Sequence, residues 1–523
     1  MLGQTAISYL KRNYTLLIIL CLALGVRLWG IDFGLPYAYH VDEPRYLRAA
    51  VGMWQNGSLD PGWYYQPSLY TYLVALVIGG YYLYGRLTGQ MSSPADLYYS
   101  PYDFDGLMQQ PGQYLLARLL TVLLALLTIY VVYATAERWM NKAGAQAAAA
   151  FLTFSIFHVT SSHFVATDAP VALFIMLALF FCGRLSETGD TRDYLLVGLF
   201  SGLAIGTKYS AYVLAAPAFL AHLVAWRQEK TTLFSPQLLL MGGATIVAFL
   251  LTTPYALINT EKFIADMQYE WLHHKLRGHI GAEGDSGLWL LSQLLTRSDL
   301  WLTLLAATGF LAAIWRRNWL VILSSVFVIA YFASMASNLV RFERFLVPMI
   351  PAMCIGAGYT FAVLSDWLSK RVTTQVTSII LLVLGLLLLF NPFQSVMTFD
   401  RDLAATDVRT IARDWILDNL PPDAMIARER FSPNLDAYGY RTTWIDSLNE
   451  QSFQWYSEEG YDYLIFAEAR YGTVWRDPER YADLIESYES LWEQLELIAT
   501  FEGPYVGRPN HQIDVYRVPR SSK

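Results

Sequence analysis

Cysteine is nearly missing from this chain: three occur in 523 residues, Cys21, Cys182 and Cys354. Each sits inside an apolar segment without metal-like spacing, which excludes a disulfide framework and a thiolate metal site. Charge is scarce too. Only 15% of residues are charged against 54% hydrophobic, and the mean hydropathy of +0.31 excludes an ordinary soluble protein. No internal repeat is visible, and no small-x-small cleavage site separates the first apolar run, Leu16 to Ile31, from the acidic stretch after it. That run is an uncleaved first span. What is present is apolar sequence for about ten spans plus one extra domain.

Lys and Arg favour the cytoplasmic side of a membrane. Lys11 and Arg12 put the N-terminus inside, and Arg138/Lys142, Arg184/Arg192, Arg227/Lys230, Arg316/Arg317 and Lys370/Arg371 mark successive inner loops. The segments around Asp42, Asp168, Lys208, His273 and Arg341 are left on the outer face. For that parity to hold, the apolar stretch Leu69 to Tyr84 must not span. At about 16 residues, rich in Tyr and Gly and preceded by Pro67, it reads as an interfacial or re-entrant helix. Residues 32–113 then form one long outer loop with Asp60, Asp103 and Asp105 as surface acids. Further spans are expected at roughly 114–135, 144–165, 169–184, 194–208, 209–226, 237–257, 299–315, 319–336, 346–364 and 374–391, about eleven with the first. Tyr194 to Trp226 is short for two spans, so these helices are short or tilted, or the pair is miscounted.

After Asn391-Pro392 the composition changes. Residues 397–523 lack any span-length apolar run and hold about 23 acidic side chains against about 13 basic ones. The expected fold is therefore a polytopic α-helical membrane domain, 1–396, followed by a soluble α/β domain, 397–523. Asp407 to Leu420 and Tyr481 to Leu497 have helical spacing, and Tyr461 to Phe466 reads as a strand. An odd number of spans puts this domain outside, where its acidity either keeps it soluble or helps to select an acceptor.

Four constellations fall on the outer face. In His40-Val41-Asp42-Glu43-Pro44-Arg45-Tyr46, two carboxylates follow the first span directly, beside the aromatic Trp63-Tyr64-Tyr65-Gln66-Pro67. Acid at a membrane face is expensive, so the pair is either a helix start before Pro44 or a general base or metal ligand. In Ser161-Ser162-His163-Phe164-Val165-Ala166-Thr167-Asp168-Ala169-Pro170, Asp168 either caps the next helix or joins Asp42 as a second carboxylate. Lys208, in Gly206-Thr207-Lys208-Tyr209, either snorkels to headgroups or meets a lipid-borne phosphate. Arg341 and Arg344, three apart, either anchor headgroups, with Glu343 pairing one of them, or form a helical i, i+3 phosphate clamp. The loop from Trp271 to His279, with His273, His274 and His279, reads as a lid over an anionic substrate.

These landmarks, together with Gly202-Leu203-Ala204-Ile205-Gly206-Thr207-Lys208 and Arg341-Phe342-Glu343-Arg344-Phe345-Leu346-Val347-Pro348, resemble the ordered motifs of the GT-C glycosyltransferases related to protein O-mannosyltransferases and to the aminoarabinose transferase of lipid A. The resemblance covers about the first 365 residues. Two departures stand out. Gln66-Pro67 occupies the place where relatives often show Lys-Pro or His-Pro, and no Trp-Trp-Asp-Tyr-Gly motif of oligosaccharyltransferases occurs. The second argues against transfer of a whole oligosaccharide to Asn.

The resemblance implies a cell-membrane hexosyl- or pentosyltransferase that takes its sugar from a polyisoprenyl-phosphate donor, with inversion. Its acceptor would be a lipid, glycan or protein hydroxyl on the outer face, and neither nucleotide nor nucleic acid is involved. Asp42, Glu43 and Asp168 are the implied catalytic set, with Asp42 as base and Glu43 in support. Lys208, Arg341 and Arg344 would hold the donor phosphate, and Arg45, Tyr46, Tyr65, Gln66, His163, His273 and His274 the substrates. Family members differ on metal use, which leaves a divalent ion on Asp42 and Asp168 open. A transporter or flippase of a lipid-linked glycan is the alternative, but transporters place ionisable groups at the midplane and often show repeated halves. Here the acids lie at span ends.

Overall fold

The structure is a computed structural model that describes residues 14–99, 107–297, 300–503 and 512–519. Lys11, Arg12, Asp103 and Asp105, used above, lie outside the described residues.

The apolar runs become helices. Apart from short 3-10 and π-helical segments, of which Tyr209–Leu214 and Glu343–Met349 lead into longer helices, and the four-residue Tyr255–Ile258, the membrane part contains α1 (Tyr14–Leu28), α2 (Glu43–Asn56), α3 (Leu69–Leu87), α4 (Gly112–Trp139), α5 (Lys142–Thr153), α6 (Ile156–Ser162), α7 (Asp168–Thr188) and α8 (Thr191–Thr207). There follow α9 (Ala215–Arg227), α10 (Pro236–Thr252), α11 (Thr260–Leu272), α12 (Ser286–Thr296), α13 (Leu300–Arg316), α14 (Trp319–Ala336), α15 (Ile350–Ser369) and α16 (Thr374–Leu403). Among the described residues, 6 helical segments are long and apolar enough to cross a membrane, or up to 8 if each of the bent pairs α5–α6 and α12–α13 is one span. The apolar α1 and α10 are shorter, at 15 and 17 residues. The stretch from Leu69 forms a single helix of 19 residues that is not among the six. It lies against α2 and α4 through Trp54 Nε1 donating to the Ala75 carbonyl at 2.7 Å and the Tyr70 hydroxyl bonded to Thr121 at 2.6 Å.

The basic loops gather at one end of the bundle. Arg138 pairs with Glu187 at 3.1 Å and Arg316 with Asp366 at 3.5 Å, while the Asn318 amide donates to the Trp139 carbonyl at 2.9 Å. Asn141 and Asn318 cap α5 and α14 there by accepting from Gly144 and Val321 N–H groups. At the opposite end sit Asp42, Asp168, Lys208 and Arg344, and over them the C-terminal domain. α16 runs through residue 397 to Leu403, so the first element belonging to that domain alone is α17 (Val408–Asn419), N-capped by Asp407.

The domain is an α/β sandwich. Strands β1 (Met425–Glu429), β2 (Arg441–Ile445), β3 (Tyr463–Ala467), β4 (Glu496–Glu502) and β5 (Gln512–Arg517) form one sheet in the order β2-β1-β3-β5-β4. β1 pairs parallel with β2 and β3, and β5 is antiparallel to β3 and β4. Period-two alternation splits its apolar side chains. Ile426, Ile465 and Val515 pack with α17 on one face. Ala427, Leu464 and Phe466 pack on the other with α18 (Phe453–Glu458) and α19 (Ala482–Trp492). The helix expected to reach Leu497 ends at Trp492, and its last residues turn into β4.

Candidate functional site

A cavity of about 1640 Å³ lies between the α/β domain and the end of the bundle opposite the basic loops, larger than ordinary small-molecule pockets of about 300–1,000 Å³. Its membrane-side wall carries His40, Asp42, Arg45, Asp168, Arg341 and Arg344, and its other wall Arg430, Asp446, Glu468, Arg470 and Arg476. One flank is apolar, with Ile156, Phe157, Phe393 and Met397.

The acid pair divides its work. Glu43, at the start of α2, is fully buried, and Arg118 from α4 grips it bidentately at 2.8 and 2.7 Å. Its Oε1 also accepts from the Val165 N–H at 3.0 Å. Burial disfavours the carboxylate, but the Arg118 charge and hydrogen bonds override it and hold Glu43 below the ordinary value. Arg118 donates further to the carbonyls of Ile31 and Phe33, so this pair ties the end of the first span, α2, α4 and the loop before α7 together. Glu43, expected in the catalytic set, does not line the cavity; its carboxylate is taken up by Arg118 and the Val165 N–H. Asp42 does line it. It occupies the N-cap position of α2 without making a cap bond, and its Oδ2 accepts from Arg344 at 2.5 Å. With 26% of its side chain exposed, it is reachable.

Asp168 opens α7, but the N-cap residue is Thr167 and no side chain caps it; Asp168 instead pairs with Lys208. The lysine therefore does not snorkel to headgroups. Arg341 and Arg344 both line the cavity, but not as the i, i+3 face of one helix. Val340 forms an isolated bridge with Glu283, and the 3-10 turn begins only at Glu343. Glu343 pairs with Arg297 at 3.1 Å rather than with either arginine. Arg344 is close enough to feel the charges of both Asp42 and Asp168.

The residues expected to meet the substrates scatter. Arg45 lines the cavity with its guanidinium 5.4 Å from the Trp63 ring. Tyr46 is buried against Trp63 and Tyr70, and burial raises its phenol above the ordinary value. Tyr65 packs edge-on against Tyr269 and Gln66 is half-buried, and neither lines the cavity. His163 is a correction: it is buried in the bundle, with Nδ1 at 2.9 Å from the Val159 carbonyl and Nε2 at 3.3 Å from that of Trp29. His273 stacks on Tyr269, and His274 pairs with Glu270 at 2.9 Å. Of that loop's three histidines, His279 lines the cavity. His40, its ring stacked on Phe164 at 4.2 Å and its Nδ1 accepting from the Asp42 N–H, was also missed. So was Arg118, although a lone arginine on an apolar helix is itself a signal.

Among the described residues no group of three or more His, Cys, Asp or Glu side chains converges to hold a metal. Asp42 and Asp168 each face a cation already, so the arrangement does not fit a resident divalent ion on that pair.

This mostly helical bundle with several apolar spans and a small C-terminal sheet has the fold of GT-C membrane glycosyltransferases. The family model for dolichyl-phosphate-mannose-protein mannosyltransferases matches residues 113–256, which include Asp168 and Lys208. In fold the chain is similar to ArnT from Cupriavidus metallidurans in the apo state, at 15% identity and a TM-score of 0.52, covering 95% of this chain and 97% of that one. It is also similar to the apo oligosaccharyltransferase of Archaeoglobus fulgidus, at 13% identity and a TM-score of 0.51, covering 88% and 70%. The same archaeal enzyme, AglB, in complex with an inhibitory peptide and a dolichol-phosphate, matches at 12% identity and a TM-score of 0.52, covering 87% and 70%. No curated protein matches the chain in sequence.

Proposed function

We propose that this protein is an integral-membrane glycosyltransferase that moves a sugar from a polyisoprenyl-phosphate donor to an acceptor hydroxyl on the extracytoplasmic face, with inversion. The observation that carries this reading is the placing of Asp42 and Arg344 in one cavity whose flank is apolar. A donor of this kind needs a phosphate site beside a groove for its prenyl chain, and Ile156, Phe157, Phe393 and Met397 offer such a groove. The dolichol-phosphate of the AglB complex supports the same ligand chemistry on a similar fold.

At rest Asp42 and Arg344 neutralise each other. An arriving donor phosphate competes for Arg344, with Arg341 beside it, and frees Asp42 to face the acceptor. As the acceptor oxygen bonds to C1, the bond from C1 to the phosphate oxygen breaks, and the hydroxyl proton passes to Asp42. The charge left on the polyisoprenyl phosphate falls to Arg341 and Arg344, which line the cavity, while Lys208, outside that lining, holds Asp168. No step requires a metal. The gathering of the basic loops at the far end supports a cytoplasmic placing of that end.

The test incubates purified protein with a panel of polyprenyl-phosphate sugars and follows release of polyprenyl phosphate. Asp42→Asn is expected to lower the rate about 10²- to 10⁴-fold, the usual worth of a general base. Release at the wild-type rate in that variant would remove the base assignment. Consumption of no donor by the wild type would favour transport instead.

A further inference from the structure

The α/β domain presents to the cavity the edge at which open α/β sheets bind ligands. In its parallel part the chain runs from central β1 outward to β2 and returns to β3 on the other side of β1, so the strand order reverses between β1 and β3. Ligands of open α/β sheets bind outside the carboxyl ends of strands at such a reversal. Here the residues that follow those ends, Arg430 and Phe431 after β1, Asp446 after β2 and Arg470 after β3, all line the cavity opposite Asp42.

Two further observations point to a ligand there. Phe431 has a φ of +71°, a left-handed backbone that bulky side chains rarely adopt, and such strain gathers at binding sites. The Arg430 guanidinium lies 5.0 Å from its ring. Second, Asp446 sits between two guanidinium groups, with Oδ1 3.3 Å from Arg430 and Oδ2 2.8 Å from Arg470. Arg470 also donates from Nε to the Asp446 carbonyl at 3.1 Å, which fixes the cluster to the sheet. Donors and acceptors thus stand side by side with their charges largely balanced, and Phe431 and the half-buried Trp475 add aromatic surface. A phosphate would meet the Asp446 and Glu468 carboxylates. Vicinal hydroxyls would meet both partners they need, and a sugar's C–H face would meet the rings.

We propose that Arg430, Phe431, Asp446, Arg470 and Trp475 form a glycan-binding subsite that holds the sugar residues of a glycosylated acceptor and turns a hydroxyl toward Asp42. The proposal deepens the transferase reading and rests on it for its purpose, but its test does not depend on turnover.

The full chain in nanodiscs is examined by saturation-transfer NMR with free oligosaccharides of mannose, galactose, arabinose and N-acetylglucosamine, with inorganic phosphate as competitor. At least one oligosaccharide is expected to bind, with a Kd raised about tenfold or more when its hydrogen bonds are cut in Asp446→Asn or Arg430→Gln. Phe431→Asn, whose new side chain tolerates the left-handed backbone, should keep the melting temperature and still weaken binding. Asp42→Asn should bind as wild type does, which separates the subsite from the chemistry. Absence of binding by every oligosaccharide, full binding by folded Asp446→Asn and Phe431→Asn, or displacement by phosphate would each overturn the subsite. Glycan binding without donor consumption would leave it standing and remove the transferase reading alone.

Discussion

Two adjacent carboxylates at the end of the first span have opposite fates, and the reason is geometric. Asp42 ends a turn and faces the cavity, whereas Glu43, one residue on, points into the bundle and meets Arg118. Breaking a fully buried pair leaves an uncompensated charge, so Arg118→Ala should destabilise the protein by about 3–5 kcal/mol, read as a lower melting temperature in detergent. Arg118→Lys should rescue it poorly, because one ammonium cannot reproduce the bidentate fork. Glu429 makes a second case. Burial pushes its carboxyl up to about 7, against hydrogen bonds from the Ala467 N–H, the Tyr488 hydroxyl and the Leu448 N–H that favour ionisation. Unfolded, a glutamate titrates at about 4.3, so between these two values the folded chain binds more protons. Stability from this group is therefore full at low pH and is lost as pH rises through about 7. The α/β domain of the full chain should resist urea better at pH 5 than at pH 8, measured by near-UV circular dichroism, and Glu429→Gln should flatten that dependence.

At the scale of elements, the placing of Lys208 depends on how closely two helices approach. α8 carries Gly198 and Gly202 against α10, and a Cβ at Gly202 would lie 2.4 Å from the Thr245 carbonyl oxygen. Small residues let backbones meet in membranes, where packing rather than the hydrophobic effect holds helices together. Gly202→Val must push α10 away and shift the end of α8, where Lys208 reaches Asp168. Donor turnover should fall at least about tenfold, a cost of about 1.4 kcal/mol, while Gly80→Ala, with open space around its Cβ, should leave it unchanged. Equal rates in the two variants would show that this contact does not position Lys208.

For the molecule as a whole, the cavity exists only because the α/β domain is docked on the loop that precedes Asp42. Arg409 is nearly buried, pairs with Asp407 at 2.7 Å, lies 3.9 Å over the Tyr39 ring and donates to the Tyr39 carbonyl. Tyr39 in turn bonds Thr410 at 2.8 Å. Since Tyr39 is three residues from Asp42, loosening this dock should reach the proposed base. Arg409→Ala is expected to raise hydrogen exchange in residues 36–42 and to weaken acceptor use more than donor hydrolysis. Unchanged exchange would mean that other contacts suffice to seat the domain.

Much was determined by the sequence alone. Apolar length and Lys and Arg placement are local, additive signals; they anticipated a helical membrane part and one end that collects Asp42, Asp168, Lys208, Arg341 and Arg344, but not the number of spans, about eleven expected against six to eight among the described residues. Partner choice is not local. Only the tertiary structure decided that Asp42 meets Arg344, that Asp168 meets Lys208, and that Glu43 is consumed by Arg118, a residue 75 positions away. It also withdrew His163 into the bundle and brought Arg430, Asp446 and Arg470 to the cavity from a domain whose acidic composition fitted either solubility or acceptor selection. Side chains distant in sequence interact through space at a few ångströms, and no periodicity along the chain encodes that distance.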